Sequence, residues 1–107
     1  MIGRIWYGWT TTQNADAYEK LLRTEIIPGI VARNIAGFRR IELLRRPDDD
    51  EVEFVTLMWF DGWDAVKAFA GERYEMAVVP PAARALLKGF DDVARHFELR
   101  DMRETQA

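Results

Sequence analysis

The clearest strand signal in this 107-residue chain is the segment Val52-Glu-Phe-Val-Thr-Leu-Met-Trp-Phe60. It is densely apolar, with Glu53 and Thr56 as the exceptions, which is typical of a central strand covered on both faces. Asp61 is suited to capping a helix, and the apolar spacing that follows predicts a helix from Gly62 to Ala70, stopped by Gly71. A helix therefore follows directly on the most apolar strand.

Three further strands are predicted around this one. Pro47-Asp-Asp-Asp50 is a turn signal that joins Val52–Phe60 to an earlier strand, Phe38 to Arg46. Residues Ile2 to Trp9 are rich in aromatic and β-branched types, which favour strands. Residues Phe90 to Arg100 are predicted to form the last strand, so the sheet has four.

The first helix is predicted between the first two strands. Thr10 and Gln13 have the spacing of a capping box, so we expect the helix to begin at Thr11. Pro28 removes a backbone donor and clashes with the preceding turn. The helix should therefore end or kink near Ile27, with a short second piece after it.

The predicted element order is β-α-β-β-α-β, the ferredoxin-like arrangement of an α+β protein. We expect a four-stranded antiparallel sheet in the order 4-1-3-2 with both helices on one face. Large apolar residues occur at both parities of strands one and three (Ile5 and Trp6; Leu57 and Met58). Because the face without helices is then also apolar, we predict a homodimer in which two sheets face each other. Residues 1–100 should form one domain and 101–107 a polar tail.

Composition excludes several classes of function. The net charge is −3, with no cysteine and one histidine. Nucleic-acid binding is disfavoured because no positive field is present, and thiolate or His-rich metal sites have no ligands. The N-terminus lacks the apolar run of a signal peptide, and no stretch is long enough to span a membrane. We therefore expect a soluble cytoplasmic protein.

Three stretches carry a resemblance to a known family: Ile5-Trp-Tyr-Gly-Trp-Thr10, Leu57-Met-Trp-Phe-Asp-Gly-Trp-Asp-Ala-Val-Lys-Ala-Phe-Ala-Gly71, and Val93-Ala-Arg-His-Phe-Glu-Leu99. With the element order, they resemble the antibiotic biosynthesis monooxygenase family over nearly the whole chain. The resemblance implies a dimeric α/β barrel, the same dimer that the sheet argument predicts. Anthrone oxygenases, haem-degrading enzymes, quinol oxygenases and isomerases share this fold, and a shared fold does not fix the reaction.

The resemblance also implies site residues. Trp59 matches the family's tryptophan near the end of strand three. In the haem-degrading branch this residue works with an axial histidine on the second helix, where this chain has Phe69 and Arg73. In the cofactor-free branch Trp, Asn, Tyr and Arg surround a polycyclic phenol, which reacts with dioxygen when deprotonated. Asn34 and Arg4 are the residues here that would hold an anionic oxygen.

His96 and Arg4 are the residues on which the chemistry depends. His96 is the single side chain that titrates near neutral pH, which makes it the natural general base for a phenol or an acidic C–H. Strand four pairs with strand one in the predicted sheet, so His96 could lie beside Arg4 or Trp6. The alternative is a hydrogen-bonded structural histidine at the dimer contact. Arg4 either pairs with a carboxylate such as Glu98 or binds an anionic oxygen of a ligand.

The tryptophans Trp6, Trp59 and Trp63 could stack on a planar ligand, with packing in the core as the alternative. Our leading hypothesis is a cofactor-independent monooxygenase that acts on an aromatic or polyketide-type small molecule, with no cofactor and no metal. A non-catalytic dimeric domain that binds a small molecule or serves in stress is the second hypothesis. Haem binding is a third, tested by a Soret shift that His96→Ala would abolish.

Overall fold

The computed structural model describes residues 1–106, which form a five-stranded sheet and four short α-helices. The strands are β1 (Ile2–Thr11), β2 (Phe38–Asp48), β3 (Glu51–Phe60), β4 (Leu87–Phe90) and β5 (Arg95–Glu98). The helices are α1 (Ala15–Leu21), α2 (Ile27–Ala32), α3 (Trp63–Ala70) and α4 (Pro81–Arg84), with a π-helical segment, Leu22–Ile26, between α1 and α2.

The sheet is antiparallel, with strand order β2-β3-β1-β4 and with β5 also paired to β1. The predicted α+β class and ferredoxin-like order are confirmed. β3 lies between β2 and β1, as its apolar sequence predicted. β1 lies inside the sheet, because it pairs with β3 along one edge and with β4 and β5 along the other.

The start of the first helix differs from the prediction. β1 continues through Thr11, and α1 begins at Ala15 after Asn14. Thr10 is fully buried within the strand, and its hydroxyl has no hydrogen-bond partner among the described residues. The prediction was wrong because pairing with β3 extends as far as Thr11 opposite Glu51, and this ladder outweighs one capping hydrogen bond.

The chain remains helical across the predicted break. The π-helical segment runs directly into α2, which carries Pro28 in its first turn and ends at Ala32. Proline is tolerated at that position because the first amides of a helix have no intrahelical acceptor. The interruption expected near Ile27 is therefore a change of helical type and not a break.

The last strand, predicted as one piece from Phe90 to Arg100, is two short strands. The amide of Asp91 still donates to the carbonyl of Tyr7 in β1. Residues 92–94 then leave the edge of β1, and their backbone hydrogen-bonds to residues 75–77 instead. The indole N–H of Trp6 donates to the carbonyl of Asp91 at 2.8 Å, which holds this departure in place. Aspartate also disfavours extended pairing, so the adjacent Asp91 and Asp92 mark the break.

Two hydrophobic clusters lie between the sheet and the helices. One surrounds Tyr18 and Phe54, and the other surrounds Phe60 and Val66. The buried residues that β1 and β3 contribute to both clusters are even-numbered, so the helices cover the even-numbered face of these strands. We call the opposite face, which carries Ile5, Tyr7, Trp9, Leu44, Val55, Leu57, Trp59 and Phe97, the open face.

The dimensions of the molecule agree with a two-layer arrangement. Its extents are 39 × 37 × 23 Å, and its radius of gyration is 14.4 Å, compared with about 13 Å for a compact domain of this length. Within residues 1–106 no helix is long and apolar enough to cross a membrane. Residues 101–106 of the predicted tail form no helix or strand, and Ala107 lies outside the described residues.

Candidate functional site

A cavity of about 220 Å³ lies between the sheet and the helices. Its walls are mostly aliphatic, with side chains from the π-helical segment, α2, β2 and the segment 77–80, whereas β1 contributes Arg4 and Trp6. Val78 at its rim is 83% exposed, so the cavity opens to solvent there. An apolar cavity of about 150 Å³ is large enough to hold benzene, so this one can hold a larger aromatic group.

The π-helical segment forms part of the cavity wall. Leu22 and Ile26, at its two ends, both line the cavity. A π-helical turn inserts an extra residue into a helix and is frequent at functional sites. Sequence periodicity did not reveal it, because the apolar stripe of the first helix fits an ordinary α-helix as well.

Arg4 is the charged group at the sheet wall of the cavity, and it is only 7% exposed. Its Nη1 donates to the carbonyl of Tyr74 and lies 3.1 Å from Nε2 of His96. No carboxylate of residues 1–106 lies within 4.0 Å of its guanidinium. Burial lowers the pKa of Arg4, but an arginine keeps its proton in proteins. The cavity therefore contains a buried positive charge without an anion.

His96 lies directly opposite Arg4 in the pairing of β5 with β1. Because an arginine can only donate, its contact with Nε2 requires that nitrogen to be unprotonated, which places the proton of the neutral ring on Nδ1. Burial and the charge of Arg4 lower the pKa of His96, against the smaller opposing effect of Glu75. The imidazole is therefore neutral at physiological pH, with its lone pair directed at Arg4.

His96 does not line the cavity. Together with Trp63 and Tyr74 it lines a separate, shallow depression. Its ring centroid lies 5.9 Å from that of Trp63 and 5.2 Å from that of Tyr74. The structure thus places His96 where it holds Arg4, which in turn faces the cavity.

The three candidate tryptophans occupy three different environments. Trp6 lines the cavity, where its ring lies over Gly8 so closely that a Cβ there would be 3.0 Å from it. Trp59 lies on the open face, where its indole N–H donates to Glu42 at 3.2 Å. Trp63 is 39% exposed at the start of α3. Because neighbouring residues of a strand point to opposite faces, Phe60 is the residue that faces the helices at the end of β3.

Asn34 lies in the exposed turn after α2. Its φ angle is +52°, in the left-handed region that asparagine tolerates better than most residues. It is not among the residues that line the cavity. Of the six predicted site residues, Arg4 and Trp6 line the cavity, and His96 contacts Arg4 from outside it with Trp63 packed against its ring. Asn34 and Trp59 lie away from the cavity.

Sequence reasoning missed four residues of the cavity: Tyr18, Arg33, Thr56 and Phe69. Tyr18 is 1% exposed, and burial raises its pKa to about 12, so it stays protonated and can donate a hydrogen bond. It belongs to the apolar stripe of the first helix, which gave no signal beyond core packing. Thr56 pairs with Trp6 across the sheet, and as a polar residue in an apolar strand it was the available signal.

These features define a ferredoxin-like α+β fold with an apolar cavity under its helices. The fold is that of the antibiotic biosynthesis monooxygenases. SnoaB, a cofactor-independent oxygenase from Streptomyces nogalater, is similar with a TM-score of 0.60 and 22% identity, over 94% of this chain and 95% of that one. A monooxygenase from the gene ActVA-Orf6 of Streptomyces coelicolor, solved with nanaomycin D, has a TM-score of 0.62 and 13% identity, over 98% and 91%.

A Bacillus cereus protein assigned to the antibiotic biosynthesis monooxygenases has a TM-score of 0.67 and 12% identity, over 97% of both chains. No family model matches the sequence, and no curated protein matches it significantly. At these identities the likeness establishes the fold alone. This is the fold that the resemblance in the sequence implied. The chemistry has to be argued from the residues of the cavity.

The residues present do not fit a haem. The residues that line the cavity include no histidine, and the position expected for an axial ligand is occupied by Phe69. The chain's one histidine directs Nε2 at Arg4. The positive charge of Arg4 beside Nε2 also disfavours the binding of an iron cation to that nitrogen.

Proposed function

We propose that this chain is a cofactor-independent monooxygenase that acts on an aromatic or polyketide-type small molecule in the cavity. The observation that carries the proposal is the buried guanidinium of Arg4, which has no carboxylate partner among residues 1–106 and faces an apolar space. Such a charge is costly unless something stabilises it. A substrate that becomes anionic during the reaction would do so.

The reaction has two steps: the protein promotes removal of a proton from the substrate, and the resulting anion then reacts with dioxygen. Removal of a proton from a phenol or an activated CH₂ group gives an electron-rich anion, which reduces dioxygen directly. For an anthrone, the CH₂ carbon becomes a carbonyl: one oxygen atom enters the product, and the other leaves as water with the two hydrogens of that carbon. The protein's share is to bind the substrate and to stabilise its anion.

Arg4 is placed to stabilise that anion. A preorganised donor in a site that excludes water is worth far more than the same donor in water. The hydroxyl groups of Tyr18 and Thr56 line the same cavity and can orient oxygen atoms of the substrate. The ring of Trp6 offers a flat surface against which an aromatic substrate packs.

Two roles for His96 lead to different expectations. As the general base predicted from sequence, it would first have to release Arg4 from Nε2. As a positioning residue it holds Arg4 and needs no proton transfer. Gln can accept a hydrogen bond from Arg4 but cannot titrate near neutral pH. Loss of turnover in both His96→Gln and His96→Ala supports the base, whereas rescue by Gln alone supports the positioning role.

An oxygen electrode and the absorbance of the product test the activity on an anthrone. We expect one dioxygen consumed per anthraquinone formed, and a loss of about 10²-fold or more in kcat/KM for Arg4→Met, since removing a donor to a developing anion typically costs this much. Arg84→Met is the matched control, because Arg84 also stacks on a phenylalanine ring, at 5.5 Å, but lies outside the cavity. Equal rates in Arg4→Met and wild type would make the proposal wrong.

The second candidate is a non-catalytic small-molecule-binding domain. The contact between Arg4 and His96 favours it, because each provides the other's nearest polar side-chain partner without a ligand. The same experiment separates the two candidates. Binding of the anthrone without oxygen consumption above its spontaneous oxidation supports the second.

We also propose that the active form is a homodimer joined through the open face. Leu44 and Phe97 there are 52% and 54% exposed. The indole N–H groups of Trp9 and Trp59 are already satisfied by Glu53 and Glu42, which leaves the apolar ring faces to be covered. A second copy of the same face would bury them.

A further inference from the structure

We propose that the substrate of this cavity carries a carboxylate that binds between Arg4 and Arg33, with an aromatic or aliphatic body in the apolar part of the cavity. The inference concerns the same cavity as the proposed function and specifies its class of substrate. It depends on a second guanidinium that no sequence pattern singled out. Arg33 follows the last residue of α2 and lines the cavity.

Phe69 holds the two guanidinium groups at the same end of the cavity. The Cζ atom of Arg4 lies 5.4 Å from its ring centroid, and that of Arg33 lies 5.0 Å from it. The two charges are therefore at most about 10 Å apart, each in the range of a cation–π contact. Nη2 of Arg33 also donates to the carbonyl of Phe69 at 3.0 Å, which holds its guanidinium beside this residue.

Neither guanidinium has an ion-pair partner within the described part of the chain, and none of the cavity residues there is acidic. Other arginines of the same protein are paired with carboxylates, as in Arg39 with Asp61 and Arg46 with Glu53. The chain as a whole is acidic, with a net charge of −3. Arg73, Arg84 and Arg100 are also unpaired in the described part of the chain, but only Arg4 and Arg33 among its arginines line the apolar cavity. An anionic ligand in the cavity would pair with both.

A carboxylate fits this end better than a phosphate group does. Two of the hydrogen-bonding contacts of Arg4 already go to Tyr74 and His96, and one of Arg33 goes to Phe69. The donors that remain match a planar group with two oxygens and a single charge, whereas a phosphate dianion brings three oxygens and more charge to satisfy. The mostly aliphatic lining requires the rest of the molecule to be apolar.

Calorimetric titration with 2-naphthoate and with its neutral analogue 2-naphthamide tests the inference at neutral pH and low salt. We expect the full-length protein to bind the carboxylate at least about tenfold more tightly than the amide. Arg33→Met should reduce this preference severalfold, and Arg4→Met should remove it. Arg84→Met, the matched control outside the cavity, should keep it.

Circular dichroism and thermal melting establish that each variant is folded. Arg33 is exposed, so Arg33→Met keeps the test informative if Arg4→Met unfolds the chain. Equal affinity for the two probes, no binding of either, or the same preference in Arg33→Met as in wild type would each overturn the inference. Oxygenation of an anthrone without a carboxylate preference overturns this inference alone, whereas a carboxylate preference without oxygen consumption overturns only the proposed activity.

Discussion

The phenol of Tyr18 should make this protein lose stability in alkali, and Tyr18→Phe should remove that loss. Burial raises the pKa of Tyr18 to about 12, compared with about 10 in an unfolded chain. Between these pH values the unfolded state has lost the proton and the folded state still holds it. The folded state is therefore favoured in full below pH 10, and this advantage is lost as the pH rises towards 12.

The size of the effect follows from the pKa difference. A difference of about two pH units corresponds to about 2.7 kcal/mol in the free energy of unfolding, of which about 1.4 kcal/mol is lost by pH 11. At pH 8 the two proteins should differ by about 1 kcal/mol or less, because the hydroxyl makes no hydrogen bond to the described residues.

Urea denaturation of wild type and Tyr18→Phe at intervals from about pH 8 to pH 11.5 measures the difference, since other titrating groups are common to both proteins and cancel. The phenolate absorbance of wild type reports the titration of Tyr18 directly. If the difference in unfolding free energy stays constant across this range, the phenol is hydrated in the folded state, and its assignment as a protonated donor in the cavity fails.

Three further outcomes are expected. Since its pKa is lowered in the folded state, His96 should cost stability as the pH falls below about 6.5, and urea midpoints of His96→Gln should lack this component; parallel pH curves would contradict it. Leu57→Asp should convert the proposed homodimer to a monomer in sedimentation experiments, whereas Asp in place of Val31, an exposed apolar residue of α2, should not; a dimer in both variants would rule out the open face as the interface. Gly37 and Gly71 both have positive φ, but of these two only Gly37 would bring an added Cβ close to another atom, the Cβ of Ala65 at 2.8 Å. Gly37→Ala should therefore lower the free energy of unfolding by about 1–3 kcal/mol more than Gly71→Ala in urea denaturation. Equal losses in the two variants would refute the clash.

Local sequence patterns were sufficient for most of the fold. The apolar stretch Val52–Phe60, the turn before it and the helix stopped by Gly71 each depend on neighbours along the chain. The same patterns failed where contacts with residues distant in the sequence determine the local structure. Thr10 satisfies a capping pattern but belongs to a strand because β3 pairs with it. Residues 92–94 leave the sheet because their backbone bonds to residues 75–77.

The candidate site was less accessible to sequence reasoning. Arg4 could be selected because a charge within an apolar strand needs a partner. Trp59 was selected by resemblance, but the parity of β3 directs it to the open face. Arg33 and Phe69 carried no signal. An arginine at the end of a helix is commonly solvated, and a phenylalanine on a helix face commonly packs in the core.

The first three strands, the helical regions that follow the first and third of them, the apolar character of both sheet faces and the single charge in β1 could be predicted from the sequence, since these depend on composition and on spacing along the chain. The contact of Arg4 with His96, 92 residues further on, and the approach of Arg33 to the same ring as Arg4 became visible in the folded structure. Contacts of this kind depend on strand register and helix position, which are set by the packing of the whole domain.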